Sequence, residues 1–234
     1  DIQMGMVPKI FPPFPERDDV DLYAKLIPAK EVGGDLYDFF IEGGKFYFIV
    51  GDVSGKGVPA SLVMAVTCRL FRTVSAHFQT PAEIVTALND ALAESNESNM
   101  FCTFFLGILD LQTGYMQYCN AGHNAPVVMR ASGKTEFMEV VPNLPLGLFE
   151  GFPYDGQECT LMKGDSLFLY TDGVTEAENI EKRLYSDEHL LDFLVMHRHE
   201  YPSGLVEKVF QDIVCHAAGA EQSDDITIMC LKYK

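Results

Sequence analysis

The chain has 234 residues, of which 17 are lysine or arginine and 34 are aspartate or glutamate, giving a formal net charge of −17. So acidic a chain is a poor candidate for binding a nucleic-acid backbone or an anionic membrane surface, because both interactions require a basic face. The hydrophobic content of 47% and the charged content of 22% are typical of a folded core rather than of disorder.

No segment has the roughly 18 consecutive apolar residues of a membrane-spanning helix, and the longest uncharged apolar run covers residues 100–109. We therefore expect no membrane insertion by this domain. The sequence shows no secretory signal pattern, and its six cysteines are scattered without a CxxC pair. The lack of a CxxC pair disfavours a zinc site. Scattered single cysteines are typical of reduced thiols in a cytoplasmic protein. Because the chain begins at Asp1 rather than Met, we expect it to be a piece of a longer protein.

The N-terminal segment is predicted to be a connector. Residues 1–7 predict the end of a helix, with Ile2 and Met6 on one face, and four prolines between residues 8 and 15 predict an extended segment. We therefore expect a linker over residues 1–18 and one domain over residues 19–234.

The domain is predicted to begin with a strand and a hairpin. Residues 20–27 alternate between apolar and polar side chains, as expected of a half-buried strand. Apolar runs at residues 36–41 and 45–50 are separated by Glu42-Gly43-Gly44, which predicts a tight hairpin.

Two helices are predicted next, at about residues 59–78 and 81–95. Pro59 fits the first turn of the first helix, in which apolar residues recur every four positions: Leu62, Val66, Leu70 and Val74. The second helix begins with Thr80-Pro81-Ala82-Glu83, a capping box with proline at the first helical position.

The remainder of the chain is predicted to be mostly β-structure. Strands are expected at residues 103–111, 115–120, 125–130, 135–141, 157–162, 166–171 and 226–233. The turn Lys163-Gly164-Asp165 predicts a hairpin between the two strands beside it, and helices are expected at about 187–199 and 203–217. Strands in series with helices in pairs predict an α+β domain of two antiparallel sheets covered by helices.

Carboxylates stand at the ends of several strands that are predicted to be buried: Asp35, Asp52, Asp172 and the pair Asp224-Asp225. Each lies beside glycine or a turn, where the backbone can approach a ligand closely. One such acid alone would be read as a solvated turn residue. Four that converge would repel one another, and a divalent cation would remove that repulsion. All-oxygen ligation favours Mg²⁺, Mn²⁺ or Ca²⁺, and two ions sharing a carboxylate can hold a hydroxide for attack on phosphorus.

The glycine-rich residues 51–57 (GDVSGKG) do not form a nucleotide-binding P-loop. The spacing from Gly51 to Gly55 is one residue too short, and Gly57 stands where serine or threonine would hold Mg²⁺.

Six motifs occur in an order that resembles a known family. They are residues 28–35 (PAKEVGGD), 51–57 (GDVSGKG), 121–126 (AGHNAP), 144–147 (LPLG), 171–176 (TDGVTE) and 224–227 (DDIT). Together they resemble the metal-dependent serine/threonine protein phosphatases (PPM, phosphatase 2C-like), in particular the bacterial SpoIIE/RsbU branch. The resemblance spans nearly the whole chain and implies an αββα sandwich, that is, two antiparallel sheets flanked by helices in four layers.

The resemblance also implies a centre of two Mn²⁺ or Mg²⁺ ions. By resemblance, Asp52 is the bridging ligand, Asp35 a ligand of one ion, and the carbonyl of Val53 a further ligand. Asp172 and Asp224 resemble ligands of the other ion, with Asp225 left open as an alternative to Asp224. Asp38 is either a residue supporting the ligands or a surface acid on the polar face of its strand.

Departures from the family pattern leave the general acid open. Animal members carry a histidine where this chain has Ser54, which is a poor acid. His123 is a candidate for this role, but a lone histidine more often orders its own turn. No phosphate-clamping arginine is evident, and Lys30 is a weak substitute whose alternative is a solvated charge.

The implied function is hydrolysis of phosphoserine or phosphothreonine by a metal-bound hydroxide. Branch membership implies that the substrate is a phosphorylated STAS-type anti-sigma-factor antagonist in a bacterial partner-switching pathway. It also implies an N-terminal sensory domain in the full-length chain and control through the first helix pair. The sequence leaves open whether two copies form a homodimer. The alternatives are a catalytically weak or inactive regulatory binding module and, less favoured, a Ca²⁺-stabilised structural domain.

Overall fold

The computed structural model describes residues 5–94 and 96–234. The chain divides into two compact units, each built around one sheet. The first unit comprises the described residues up to Lys9, Lys30–His123 and Glu139–Thr160. The second unit comprises Ile10–Ala29, Asn124–Met138 and Leu161–Lys234.

The elements follow the predicted order closely. The strands are β1 (Val20–Ile27), β2 (Leu36–Glu42), β3 (Lys45–Val53), β4 (Cys102–Asp110), β5 (Tyr115–Ala121), β6 (Val127–Met129), β7 (Thr135–Phe137), β8 (Gln157–Thr160), β9 (Ser166–Tyr170) and β10 (Ile226–Tyr233). The helices are α1 (Val58–Ser75), α2 (Pro81–Ala93), α3 (Asp172–Thr175), α4 (Asp187–His197) and α5 (Pro202–Ala217).

Both sheets are antiparallel and have five strands. The first unit has the order β2-β3-β4-β5-β8, with α1 and α2 packed on it, and the second has β1-β10-β9-β6-β7, with α4 and α5. The predicted α+β class with two antiparallel sheets and paired helices is confirmed. Residues 1–4 of the predicted N-terminal helix lie outside the described residues, and residues 5–7 contain no α-helix.

The face of helix α1 that packs on its sheet is not the face whose apolar spacing predicted the helix. Its buried residues include Ala60, Met64 and Phe71, whereas Leu62 and Val66 are 62% and 50% exposed. Within the described residues α1 is the one helix long and apolar enough, by length and composition alone, to cross a membrane. Because its buried face belongs to the core of the first unit, α1 is accounted for as a helix of the folded domain.

Helix α2 begins at the predicted capping box. The Thr80 hydroxyl accepts a hydrogen bond from the Glu83 amide, and the Glu83 carboxylate accepts one from the Thr80 amide. Hydrogen bonds from the Thr80 hydroxyl and the Thr80 amide to the Glu83 carboxylate lower the pKa of that carboxyl. A local sequence signal therefore fixes where this helix starts.

The predicted hairpin across Lys163-Gly164-Asp165 is wrong. Strand β8 pairs with β5 in the sheet of the first unit, and β9 pairs with β10 and β6 in the sheet of the second. The turn Lys163-Gly164-Asp165 is instead hydrogen-bonded to β10, since the Gly164 amide donates to the Tyr233 carbonyl. Which sheet β8 and β9 each join depends on pairing with strands that are distant in sequence. The residues of the turn between them carry no information about that pairing.

The face of the first unit's sheet opposite the helices carries stacked, buried aromatic rings. Phe48 stacks between Phe46 and Phe105 at centroid distances of 5.3 and 6.3 Å, and Phe105 stacks on Tyr118 at 5.7 Å. Gly107 lies directly opposite Phe48 in the register of β3 and β4. A Cβ atom on Gly107 would lie 2.2 Å from the Phe48 ring, so glycine makes room for the stack.

We expect Gly107→Ala to lower the free energy of unfolding by about 1–3 kcal/mol, because a fully buried ring must move to admit one methyl group. The control is Gly204→Ala in α5, where the added Cβ meets only the end of the Glu200 side chain. That helical substitution should preserve stability or raise it by up to ~1 kcal/mol. Chemical denaturation measures both variants, and equal stabilities would contradict the packing argument.

Candidate metal centre

Asp35 and Asp52 stand opposite each other at one end of the first unit's sheet. Leu36 pairs with Gly51 in the antiparallel register of β2 and β3, and one further step along that register brings Asp35 opposite Asp52. Opposite residues in such a pair have Cβ atoms about 4.5–5.5 Å apart. Asp35 is buried and Asp52 is half-buried, so this pair of carboxylates lies at the edge of the core.

Gly34 fixes how closely the Asp35 turn approaches the end of β3. A Cβ atom on Gly34 would lie 2.5 Å from the Val53 carbonyl oxygen, and the Val53 amide donates to the Gly34 carbonyl at 3.3 Å. Any side chain at position 34 would therefore push the two segments apart. The contact brings Asp35, Asp52 and the Val53 carbonyl, all of them predicted ligands, into one local structure.

Ser54 has a structural partner. Its amide donates to the Phe101 carbonyl at 2.8 Å, and its hydroxyl accepts from the Phe101 amide at 2.9 Å. This pair of bonds holds the segment after Asp52 against the start of β4. Ser54, which stands where the animal members carry a histidine, thus serves to position the loop.

His123 is built into its own turn. Its amide donates to the Asn120 side-chain oxygen at 2.7 Å, and its carbonyl accepts from the Asn120 amide nitrogen at 2.9 Å. Its buried ring approaches the Thr103 hydroxyl with Nδ1 at 2.9 Å, and Thr103 pairs with Asp52 across β3 and β4. These contacts favour the turn-ordering role over the general-acid role.

Asp172 begins the short helix α3, which packs against the start of β10 in the second unit. A Cβ atom on Gly173 would lie 1.9 Å from the Asp225 carbonyl oxygen, so only glycine permits this approach. The Thr171 amide donates to the Thr227 carbonyl at 3.1 Å, and the Thr227 amide donates to the Thr171 hydroxyl at 3.0 Å. Asp172 is therefore held beside the Asp224-Asp225 pair.

The two acids of that pair have different environments. Asp225 is buried, and its carboxylate accepts a hydrogen bond from the Ala29 amide at 2.8 Å. Asp224 is half-buried, and its carboxylate accepts from the Asp225 amide at 2.9 Å. This arrangement favours Asp224 as the ligand and Asp225 as the residue that anchors the turn.

Asp38 is not a surface acid, so the second of its two predicted roles is wrong. It is buried, and both of its oxygens accept from the Arg72 guanidinium at 2.6 Å, joining β2 to α1. Arg72 also donates to the Phe39 carbonyl, and its guanidinium lies 4.8 Å from the Phe40 ring. Sequence reasoning missed Arg72 because no local pattern indicates which strand a helical arginine reaches. Lys30 is exposed, as its alternative reading predicted.

Each unit supplies one pair of predicted ligand carboxylates. Asp35 and Asp52 belong to the first unit, and Asp172 and Asp224 belong to the second. Over the described ranges no three His, Cys, Asp or Glu side chains form a ready-made metal cluster. The donors are all oxygens, and in both units a glycine lets the backbone approach them closely. This chemistry fits Mg²⁺ or Mn²⁺.

Comparison with known proteins identifies the family. The profile of the Stage II sporulation protein E (SpoIIE) family matches residues 42–234. The chain belongs to the SpoIIE family. Phosphoserine phosphatase RsbU of Bacillus subtilis (strain 168) is 25% identical over 220 residues, which cover 94% of this chain and 65% of RsbU. The chain spans 38% and 51% of two further curated relatives, so it matches only part of each.

Solved structures show the same fold as this SpoIIE-family chain. The SiaA-PP2C domain of Pseudomonas aeruginosa has a TM-score of 0.82 at 18% identity, covering 91% of this chain and 86% of that domain. RsbX in complex with magnesium has a TM-score of 0.70 at 15% identity, covering 93% of this chain and 97% of RsbX. The likeness confirms the fold predicted from the six motifs, and the phosphatase class predicted from the sequence is the one named for RsbU.

We expect Gly34→Ala to weaken Mn²⁺ binding by about tenfold or more, because the added Cβ must displace the Val53 carbonyl. The matched control is Gly5→Ala, where an added Cβ meets no atom within 4 Å. Calorimetric titration with Mn²⁺ measures both variants. Equal affinity for Mn²⁺ in the two variants would show that the close approach at Gly34 does not shape the site.

Proposed function

We propose that this chain is a metal-dependent protein phosphatase domain acting on phosphoserine or phosphothreonine. The observation that carries the proposal is the pair of glycine-mediated close contacts, at Gly34 and at Gly173, beside acids predicted to be ligands. Membership of the SpoIIE family and the relatives named as phosphoserine phosphatases support the same reaction class.

The proposed centre takes two divalent ions, Mn²⁺ or Mg²⁺, held by Asp35, Asp52, the Val53 carbonyl, Asp172 and Asp224. When bound, such ions lower the pKa of a water molecule and neutralise the charge on a phosphoryl group. The chain's own part is to hold the carboxylates in place. Gly34 and Gly173 permit the close backbone contacts, Ser54 fixes the loop after Asp52, and Asp225 anchors the turn that carries Asp224.

Four of the six cysteines are not suited to act as nucleophiles. None of the six forms a disulfide, and these four are buried. Burial raises the pKa of Cys68 and of Cys119 to about 12, and it also raises the pKa of Cys102 and Cys230. A protonated, buried thiol is a poor nucleophile. These four thiols are therefore not expected to form a phosphoenzyme, and we propose direct attack by activated water.

The substrate and setting are proposed from the family. The substrate would be a phosphorylated STAS-type protein in a bacterial partner-switching pathway, and the location would be the cytoplasm. The linker over residues 1–18 would join the phosphatase domain, residues 19–234, to an N-terminal sensory domain, with a homodimer as a further option. The acidic net charge of −17 supports an absence of nucleic-acid binding.

We expect Asp52→Asn and Asp172→Asn each to reduce Mn²⁺-dependent hydrolysis of an aryl phosphate by about 100-fold or more, because each removes a proposed ligand charge. Asp192→Asn, on the exposed face of α4, is the matched control and should keep full turnover. Initial rates with and without EDTA measure the effect. Normal turnover by either ligand variant would contradict the metal assignment.

The same assay separates the enzyme from a regulatory binding module. A module would bind a phosphoserine peptide without hydrolysing it at any Mn²⁺ concentration. The absence of a three-ligand cluster within the described part of either unit is the observation that keeps this second candidate. Turnover that EDTA abolishes would exclude it.

We expect His123→Asn to lower stability by about 1–2 kcal/mol, through loss of the bond to Thr103, and to leave the shape of the pH–rate profile unchanged. Thermal unfolding and rates between pH 6 and 9 would be measured. Loss of one limb of the profile without a loss of stability would instead assign His123 as the general acid.

A further inference from the structure

A cavity of about 240 Å³ in the second unit is lined by basic side chains. They are Arg130, at the end of β6, Arg198 and His199, after α4, and Lys232 near the end of β10. No acidic residue lines this cavity among the described residues. The chain has 17 lysines and arginines against 34 acidic residues, so three of those 17 around one cavity, with a histidine beside them, form a local reversal of the overall charge. We call these four residues the basic cluster.

Arg130 is held in place by a buried carboxylate, that of Asp165. Its Nη1 donates to Asp165 Oδ2 at 2.9 Å. Asp165 is only 1% exposed, and its carboxylate also accepts from the Ala131 amide at 2.8 Å and the Met162 amide at 2.9 Å. The charge of Asp165 is therefore compensated by three donors, and its role is to orient Arg130.

The other members of the basic cluster have no carboxylate partner in the described part of the chain. The neighbouring acids are engaged elsewhere, since Glu200 pairs with Lys208 and Asp21 pairs with Lys234. Arg198 donates from Nη1 to the Val195 carbonyl, while its buried Nε finds no hydrogen-bond partner among the described residues. Lys232 Nζ lies 5.8 Å from the centre of the Tyr201 ring.

The cavity lies at the opposite end of the sheet from Asp172. Gly164 lines the cavity and precedes β9, whereas Asp172 follows the other end of β9. A five-residue strand is about 17 Å long, so a ligand in the cavity is remote from the proposed ligands of this unit. The basic cluster therefore does not serve as the phosphate clamp of the proposed reaction.

We propose that the basic cluster is a second binding site, specific for a phosphate-type oxyanion. Arg198 and Lys232 place a guanidinium and an ammonium charge at the cavity wall, beside the oriented Arg130, and these are the kinds of side chain that bind tetrahedral oxyanions. Because one water occupies about 30 Å³ of liquid, the cavity has room for a phosphate group with part of its hydration shell. The oxyanion is either free phosphate or a phosphoryl group on a protein chain.

The test is a titration with inorganic phosphate, followed by NMR at the backbone amides of Gly164, His199 and Lys232 in the presence of Mg²⁺. We expect saturable shifts at these amides. Arg198→Gln/Lys232→Gln should weaken the binding roughly tenfold or more, since two charged donors are lost. The matched control is Lys182→Gln/Arg183→Gln, which removes the same two residue types from an exposed surface and should leave the affinity within about twofold.

Absence of saturable shifts, or equal weakening in the two double variants, would overturn the proposal. A parallel titration with a phosphoserine peptide of otherwise neutral sequence distinguishes the two sources of phosphate, and tighter binding of the peptide would assign the site to phosphoproteins. Thermal unfolding checks that the variants are folded. If the double variant does not fold, Lys232→Gln alone removes one of the two charges and should weaken binding to a smaller extent. Aryl-phosphate turnover should be unchanged in all of them, so this test is independent of the proposed phosphatase activity.

Discussion

The candidate centre depends on one physical constraint, the approach of a glycine backbone to a carbonyl oxygen at a distance that no side chain would allow. Gly34 meets the Val53 carbonyl in the first unit, and Gly173 meets the Asp225 carbonyl in the second. In both places an acid is the direct neighbour of the glycine. The contacts hold these acids at strand ends, where hydrogen bonds along the sheet have already fixed the backbone.

This constraint explains why the acids beside these glycines indicate a site, although the chain has 34 acidic residues in all. Most can be solvated at little cost, but Asp35 is buried at the end of β2, opposite Asp52. Two facing carboxylates repel each other unless a cation compensates their charge. Ser54 in the first unit and Asp225 in the second form hydrogen bonds that hold the loops next to the proposed ligands of their own unit.

Much of the fold could be predicted because the signals were local. The hairpin of β2 and β3 followed from its glycine turn, and α2 followed from its capping box. The partner of β8 could not be predicted, because the turn at Gly164 resembles a hairpin while the pairing is decided by a distant strand. The same limit hid the Asp38–Arg72 pair and the basic cluster, because each is assembled from segments that are distant in sequence and meet only in the folded unit.

The central claim is that the strand-end acids predicted as ligands, Asp35, Asp52, Asp172 and Asp224, hold divalent ions. The most direct measurement is a crystal structure of the Mn²⁺-soaked protein with anomalous diffraction at the manganese edge. The account predicts anomalous peaks coordinated by Asp35, Asp52, Asp172 and Asp224. Peaks bound only by other residues, or no manganese at concentrations that support turnover, would contradict it.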